Sequence, residues 1–522
     1  MPATEPQSNR HPLLEMALIA APVVATMTSY TLMQFVDKLM VSRIGPDPIY
    51  VGAQGNGGLA AFVLMSIMMG FITVINTYVS QNLGAGRPER APAYVWTGMW
   101  MAAAFWLAVL VPFALALPWI FELMRGSAPA ETISTAARQA EALRRDSMAA
   151  EYARILLFGS VITLAARAIA QYFYGMHRPM VVLLATLTGN LANIAANSVL
   201  IYGPRAPEPT GLPWLDAWFN ACAGLSASLN IPAMGINGAA YGTVLGTVFE
   251  LAIPMALFLS PAFNRRFRTL APWRPSLPHA RDLYRIGWPG ALMFGNEMIC
   301  WSFFMVYLVG TFGALHSTAG WIAHQWMSLS FMPTVGISVA ITATVGKALG
   351  ARRPDLAAQR ARQGLTIAVA YMSLCGIAFV LLRRSLVEMF IPESASPDAA
   401  AEILRLGAGF LIAAAAFQFF DGVAMSLSGA LRGAGDTRWV GVVTLLLSWT
   451  LIVAGGLFMV RAFPRLQSLG PWIAAAAYII VLALAILYRW RSGKWRTMRL
   501  VAHDDPPPAQ PALAATAAGQ GL

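Results

Sequence analysis

Four carboxylates stand inside long apolar runs. They are Asp37 in Gln34-Phe35-Val36-Asp37, Glu250 in Val248-Phe249-Glu250-Leu251, Glu297 in Gly295-Asn296-Glu297-Met298, and Asp421 in Gln418-Phe419-Phe420-Asp421. A charge at the centre of a membrane helix costs roughly 2.5–3.5 kcal/mol on insertion scales, so each needs a function or a partner. Asp37 precedes Lys38, which offers an interfacial ion pair as the bland reading. Glu250 can pair structurally with Arg167 of an earlier apolar run. Glu297 has apolar flanks and no adjacent charge, and Asp421 has Gln418 one turn away on the same helical face. The chemistry such groups offer is cation binding. Burial disfavours an ionised carboxyl group, so a proton can bind; alternatively, converging oxygens can hold Na⁺. Asn193 and Asn197, four residues apart, share one helix face and can add amide oxygens. Their structural reading is hydrogen bonding between packed helices; Gln34, Gln418 and Glu250 are further candidates to line a substrate or cation cavity.

Other chemistries lack their residues. There is no phosphate loop of the GK[ST] type, no HExxH, no nucleophile elbow and no clustering of the 6 His. Cys222, Cys300 and Cys375 are an odd set without CxxC spacing, so neither a disulfide framework nor a zinc site is implied. No catalytic residue and no resident cofactor is expected. A net charge of +12 would suggest nucleic acid in a soluble chain. Here the Lys and Arg fall between apolar runs, with no basic stripe interleaved with aromatics, so no nucleic-acid partner is expected.

The elements that must position the carboxylates are membrane helices. Only 11% of the 522 residues are charged and 57% are hydrophobic, with mean hydropathy +0.59; soluble domains carry about 25% charged residues. Apolar runs long enough to span a bilayer lie at 13–44, 59–79, 94–121, 153–174, 180–201, 234–259, 286–312, 321–344, 365–382, 404–427, 439–460 and 471–487. The first run lacks a small-residue cleavage site and reads as a span, not a removed signal peptide. With the N-terminus inside, about 22 of the 36 Lys and Arg fall on the cytoplasmic side and about 13 outside, which favours both termini inside. The mixed charges of 126–151 predict a solvated surface helix, and the tail after Asp505 reads as disordered.

The chain also repeats. Asn82-Leu83-Gly84-Ala85-Gly86-Arg87-Pro88 follows the second run, and Ala348-Leu349-Gly350-Ala351-Arg352-Arg353-Pro354 follows the eighth, 266 residues on. His177-Arg178-Pro179 and Asp436-Thr437-Arg438 occupy matching loops. Six spans is an even number, so both halves enter from one side and the repeats are parallel. The predicted fold is an all-α membrane protein of about 12 helices, in two parallel six-helix bundles related by a pseudo-two-fold axis along the membrane normal. The expected units are a cytoplasmic segment 1–12, a first bundle 13–262, a basic connector 263–285, a second bundle 286–490 and a cytoplasmic tail 491–522.

The chain resembles the multidrug and toxic compound extrusion (MATE) family over nearly all of 13–487. The most specific element is Gly429-Ala430-Leu431-Arg432-Gly433-Ala434-Gly435-Asp436-Thr437-Arg438. Next come Val79-Ser80-Gln81-Asn82-Leu83-Gly84-Ala85-Gly86-Arg87 with its echo Val345-Gly346-Lys347-Ala348-Leu349-Gly350-Ala351, then Asn193-x-x-x-Asn197 with Tyr202-Gly203, then Gly235-Ile236-Asn237-Gly238-Ala239-Ala240. Asp37, Glu297 and Asp421 stand where the bacterial NorM-like branch carries acids in its first, seventh and tenth spans. The resemblance implies that Glu297 and Asp421 hold the coupling cation, Na⁺ or H⁺, with Asp37 assisting. It implies export of organic, often cationic compounds by antiport across a bacterial inner membrane; a monomer is expected. The loops 126–151 and 203–232 look long for the family, Glu250 is not a residue of its pattern, and the stretch 47–58 is looser. Two rivals make different demands. A lipid-linked oligosaccharide flippase of the same superfamily would need a strongly cationic cavity. An intramembrane enzyme would need a paired catalytic set.

Overall fold

The computed structural model describes residues 12–45, 49–126, 136–209, 211–391, 396–498 and 500–501. The N-terminal segment up to residue 11 and the tail from residue 502 lie outside the described residues. Among the described residues twelve helices are long and apolar enough to cross a membrane. They are α1 (Leu13–Ser42), α2 (Ile49–Gly84), α3 (Pro88–Leu123), α4 (Leu143–Gly175), α5 (Pro179–Leu200) and α6 (Ile236–Leu259) in the first half. The second half has α7 (Leu277–Phe312), α8 (Ala314–Gly350), α9 (Pro354–Leu381), α10 (Pro397–Ala434), α11 (Thr437–Ala462) and α12 (Leu469–Arg491).

Most spans outrun the apolar stretches that announce them. Hydropathy marks only the part in hydrocarbon, while helical hydrogen bonding continues until a turn residue stops it. α9 therefore starts at Pro354, eleven residues before its apolar run, because proline is well placed in a first helical turn. The helix continuous with α4 begins at Ala136, so the surface helix expected over 126–151 is the polar start of a 40-residue helix. Residues 127–135 lie outside the described residues. Within 203–232 there is a further helix, Pro213–Ser228.

The repeat is visible in backbone geometry. α2, α4, α8 and α10 are each followed within two residues by one with left-handed φ: Gly86, His177, Arg352 and Gly435. The next residue's N–H then reaches back to the helix: Arg87 to Asn82 O at 2.9 Å, Arg178 to Phe173 O at 2.8 Å, Arg353 to Ala348 O at 2.9 Å, Asp436 to Leu431 O at 2.9 Å. This six-to-one closure satisfies the helix's last carbonyls. His177 thus matches Gly435, one residue earlier than the loop alignment that sets it against Asp436.

Glycines show the same symmetry in three dimensions. A Cβ on Gly84 would stand 1.9 Å from Lys347 O, and a Cβ on Gly350 would stand 2.1 Å from Gln81 O. Both contacts convert into one another by the same 266-residue offset, so the ends of α2 and α8 that lead into the Gly86 and Arg352 turns cross on the pseudo-two-fold axis. The pair Gly70–Gly290, linking α2 to α7, likewise maps onto Gly336–Val24, linking α8 to α1. Helix neighbours obey the exchange throughout: α1 packs on α5 as α7 packs on α11, and α4 on α6 as α10 on α12.

The halves are joined at one end. There Thr77 Oγ1 donates to Arg432 O at 3.0 Å, Gln81 Nε2 to Gly433 O at 3.0 Å, Tyr78 OH to Asp282 O at 2.9 Å, and Arg360 to Glu15 Oε1 at 2.9 Å. One apolar core containing Ile75, Val79, Ile341, Val345 and Leu431 runs through both halves at this end. Towards the other end the core divides. Met40, Val41, Tyr152, Ile201 and Ile236 belong to the first half, and Phe304, Phe410, Trp472 and Ile479 to the second. The two halves thus share one core at the end that carries the four turns and keep separate cores towards the other end.

Candidate functional site

On the first half's wall, α5 presents Asn193 and Asn197 to α1. Asn197 Nδ2 donates to Asp37 Oδ1 at 2.7 Å and to Asn193 Oδ1 at 3.0 Å, and Asn193 Nδ2 donates to Thr243 Oγ1 of α6 at 3.4 Å. Both Asn side chains are buried and Asp37 is half-buried. The i, i+4 spacing of the Asn pair builds this relay, and the pleat of small residues on α6 makes room for it. A Cβ on Gly242 would stand 1.9 Å from Asn197 Oδ1. That oxygen is buried and accepts no hydrogen bond. Asp37 is held by a neutral amide from α5, which differs from the interfacial Lys38 pairing the local sequence allows. Gln34 is exposed one turn before it.

Glu250 lies in a separate group. Its Oε1 accepts from Tyr30 OH of α1 and from Thr186 Oγ1 of α5, the latter at 3.2 Å, and stands 3.9 Å from Arg167 NH1 of α4. The Arg167 guanidinium sits 4.0 Å from the centroid of the Tyr30 ring, a cation–π contact. Four helices thus converge on one ion pair, whose side chains are 24% and 13% exposed. The structural reading of Glu250, pairing with Arg167, is the arrangement present.

On the second half's wall, Glu297 and Asp421 lie within electrostatic reach of one another, and Tyr478 of α12 within reach of both. Arg432, one helix end away, faces Glu297 and donates to Ser338 Oγ at 2.8 Å. Gln418 is buried; its Nε2 donates to Ser330 Oγ of α8 at 2.9 Å, while its Oε1 and the Tyr478 hydroxyl have no partner. Asn296, beside Glu297, accepts from Trp449 Nε1 and donates to Ser448 Oγ, both at 2.7 Å. That fixes α7 against the π-helical stretch Ser448–Ala454 of α11, a local widening of the kind that often occurs at functional sites.

The structure therefore places Glu297, Asp421 and Gln418 in the second half and joins Asp37, Asn197 and Asn193 by hydrogen bonds in the first. No set of three or more His, Cys, Asp or Glu side chains forms a metal-ligand group among the described residues. Carboxylates and spare amide oxygens on each wall suit a transient cation, not a closed coordination shell. Sequence reasoning missed Tyr30, Thr186, Tyr478 and Arg432 as members of these clusters. Hydroxyls carry no hydropathy signature, and Arg432 sits near a helix end where an arginine needs no explanation. A surface groove between α9 and α10 is lined by apolar side chains such as Ile377, Leu381 and Phe419.

Comparison with known proteins adds relatives to this geometry. A family model described as MatE matches residues 22–199 and 292–455. The chain is 28% identical over 488 residues to a probable multidrug resistance protein NorM of Pseudomonas syringae pv. tomato, covering 92% of this chain and 95% of that protein. It is 27% identical over 495 residues to the multidrug resistance protein NorM of Burkholderia vietnamiensis, covering 94% and 95%. Among solved structures, a MATE protein in complex with MaL6 superposes with a TM-score of 0.76 at 19% identity, covering 93% of this chain and 98% of that one. A transporter of the MOP superfamily from Pyrococcus furiosus, described as having a binding pocket of reversed polarity, gives 0.75 at 21%, covering 93% and 97%.

Proposed function

Since this chain belongs to the MatE family, and not to a family of enzymes, we propose that it is a cation-coupled exporter of organic, often cationic compounds. The multidrug resistance names of its NorM relatives support the substrate class. The observation that carries the coupling is the pair Glu297 and Asp421, two acids embedded in spanning helices of the same half. Two like charges in a poorly solvated site favour a shared cation, and either H⁺ or Na⁺ meets that need. A cationic compound entering the cleft competes for the same negative charge. Cation entry therefore promotes release of the compound, and the halves exchange access by rocking about the α2–α8 crossing. Asp37, with Asn193 and Asn197, assists from the facing wall. Gln418 orients α10, and Glu250 anchors α1 through Tyr30.

The Arg-rich end carrying the four turns is read as cytoplasmic, with both termini on that side and the chain resident as a monomer in a bacterial inner membrane. On this reading the end at which the two halves have separate cores faces outward. The first bundle 13–262, the connector 263–285 and the second bundle 286–490 then act as two rocking bodies and a strap.

The test is efflux from membrane vesicles with Na⁺ and pH gradients imposed separately. At least one gradient should drive export, and Glu297→Gln and Asp421→Asn should each abolish it while the protein remains folded in the membrane. Gradient-independent efflux, or wild-type export by both variants, would refute the proposal.

A further inference from the structure

The helix Pro213–Ser228 between α5 and α6 is not one of the twelve spans. It starts on a proline with Asp216 in its first turn, which suits a helix N-terminus. At about 100° per residue its side chains sort into three faces. One is packed: Phe219, Cys222, Ala223 and Ser226 are buried. Phe219 stands edge-on to Tyr202 with centroids 5.6 Å apart, and Ser226 Oγ donates to Val199 O at 3.2 Å, so this face lies on the end of α5. A second face carries Trp214, Trp218, Ala221 and Leu225, continued by Leu229. Its large side chains remain exposed, at 69% for Trp214, 43% for Trp218, 49% for Leu225 and 60% for Leu229. The third, opposite the exposed apolar face, carries Asp216 and Asn220. Asp216 is the one charged residue of the helix.

We propose that Pro213–Ser228 lies flat in the headgroup layer of the bilayer, with the Trp214–Trp218–Leu225–Leu229 stripe turned to the acyl chains and Asp216 and Asn220 turned to water. Three environments for three faces are what an interfacial helix meets: protein on one flank, lipid below, water above. The chain itself imposes the level. α5 ends at Leu200 and α6 begins at Ile236 on the same side of the membrane, and short segments tether the helix to both. The spans it joins also carry exposed apolar side chains, among them Leu191, Leu245 and Phe249. Trp218 Nε1 donates to Ser198 Oγ at 3.0 Å, which satisfies its polar atom at the span's end while its ring stays exposed, the habit of interfacial tryptophan. The helix ties the first half to the membrane surface at the end away from the four turns.

The test places nitroxides at single cysteines introduced at positions 214, 218, 221 and 225, and at 216 and 220, in protein lacking Cys222, Cys300 and Cys375 and reconstituted in nanodiscs. Oxygen should dominate the collisions at the first set and a water-soluble nickel chelate at the second. Chelate dominance along the stripe would put it in water and overturn the proposal; exclusion of both reagents would put a second protein copy there and overturn it too. Should the cysteine-free protein fail to fold, the native chain carrying Trp214→Phe and Trp218→Phe serves instead. The tryptophan fluorescence quenched by shallow brominated lipid should fall, and an unchanged quenchable signal counts against the bilayer.

Discussion

Asp37 and Glu250 are both acids of the first half, and their partners separate their roles. Asp37 is met by the amide of Asn197, a donor that an amide oxygen at position 37 can also accept from. We predict that Asp37→Asn keeps thermal stability within about 1 kcal/mol of wild type, since one neutral hydrogen bond is at stake, while efflux falls. A matching loss of melting temperature would instead assign Asp37 to the scaffold. Glu250 is bound to Arg167, Tyr30 and Thr186. Removing one member of a buried ion pair strands the other charge and costs about 3–5 kcal/mol, whereas replacing both with apolar groups is far milder. Glu250→Met and Arg167→Met should therefore each lower stability strongly and the double variant less than their sum. Additive effects in the double-mutant cycle would show that the pair is not coupled. Gly242 matters for the same reason at smaller scale. Its replacement by Ala forces Asn197 aside and should cost about 1–3 kcal/mol as overpacking, readable as a lower melting temperature with reduced efflux.

At the scale of elements, the α2–α8 crossing is the part that both halves share. Gly84 and Gly350 let two backbones meet where any side chain would collide with a carbonyl, as small residues do at close helix contacts in membranes. Gly350→Leu should disfavour the closed end. Spin labels at positions 87 and 353 should then report a longer distance population in pulsed electron resonance, and an unchanged distance distribution would argue that the crossing is not a closure. The π-helical stretches in α3, α7 and α11 fall in both halves, but the chain gives no periodic warning of them. A π turn adds one residue to a helix without changing its composition, so hydropathy passes over it.

The whole molecule is a shared core that splits into two. That division predicts sided access. In intact cells a membrane-impermeant thiol reagent should modify Asp37→Cys, because the halves keep separate cores at the end away from the Arg-bearing turns. Modification only in inverted vesicles would reverse the orientation assigned here.

Much of this was legible in the chain. Twelve spans follow from apolar runs, because a bilayer demands unbroken hydrophobic length. The parallel halves follow from the motif at Gly84 and its echo at Gly350, since six spans return the chain to its starting side. The depth of Asp37, Glu297 and Asp421 follows from their flanks, and so does the ion pair open to Glu250 and Arg167. Those properties are local, or they depend only on counting. Tertiary structure decided which acids share a wall. Glu297 with Asp421, and Asp37 with Asn193 and Asn197, depend on the rotation and depth of each helix against its neighbours, which no single segment encodes. It also decided which end is closed. One sequence must serve a cleft open to either side if the halves rock, so the state described here is a matter of packing at the α2–α8 crossing and not of any residue's type.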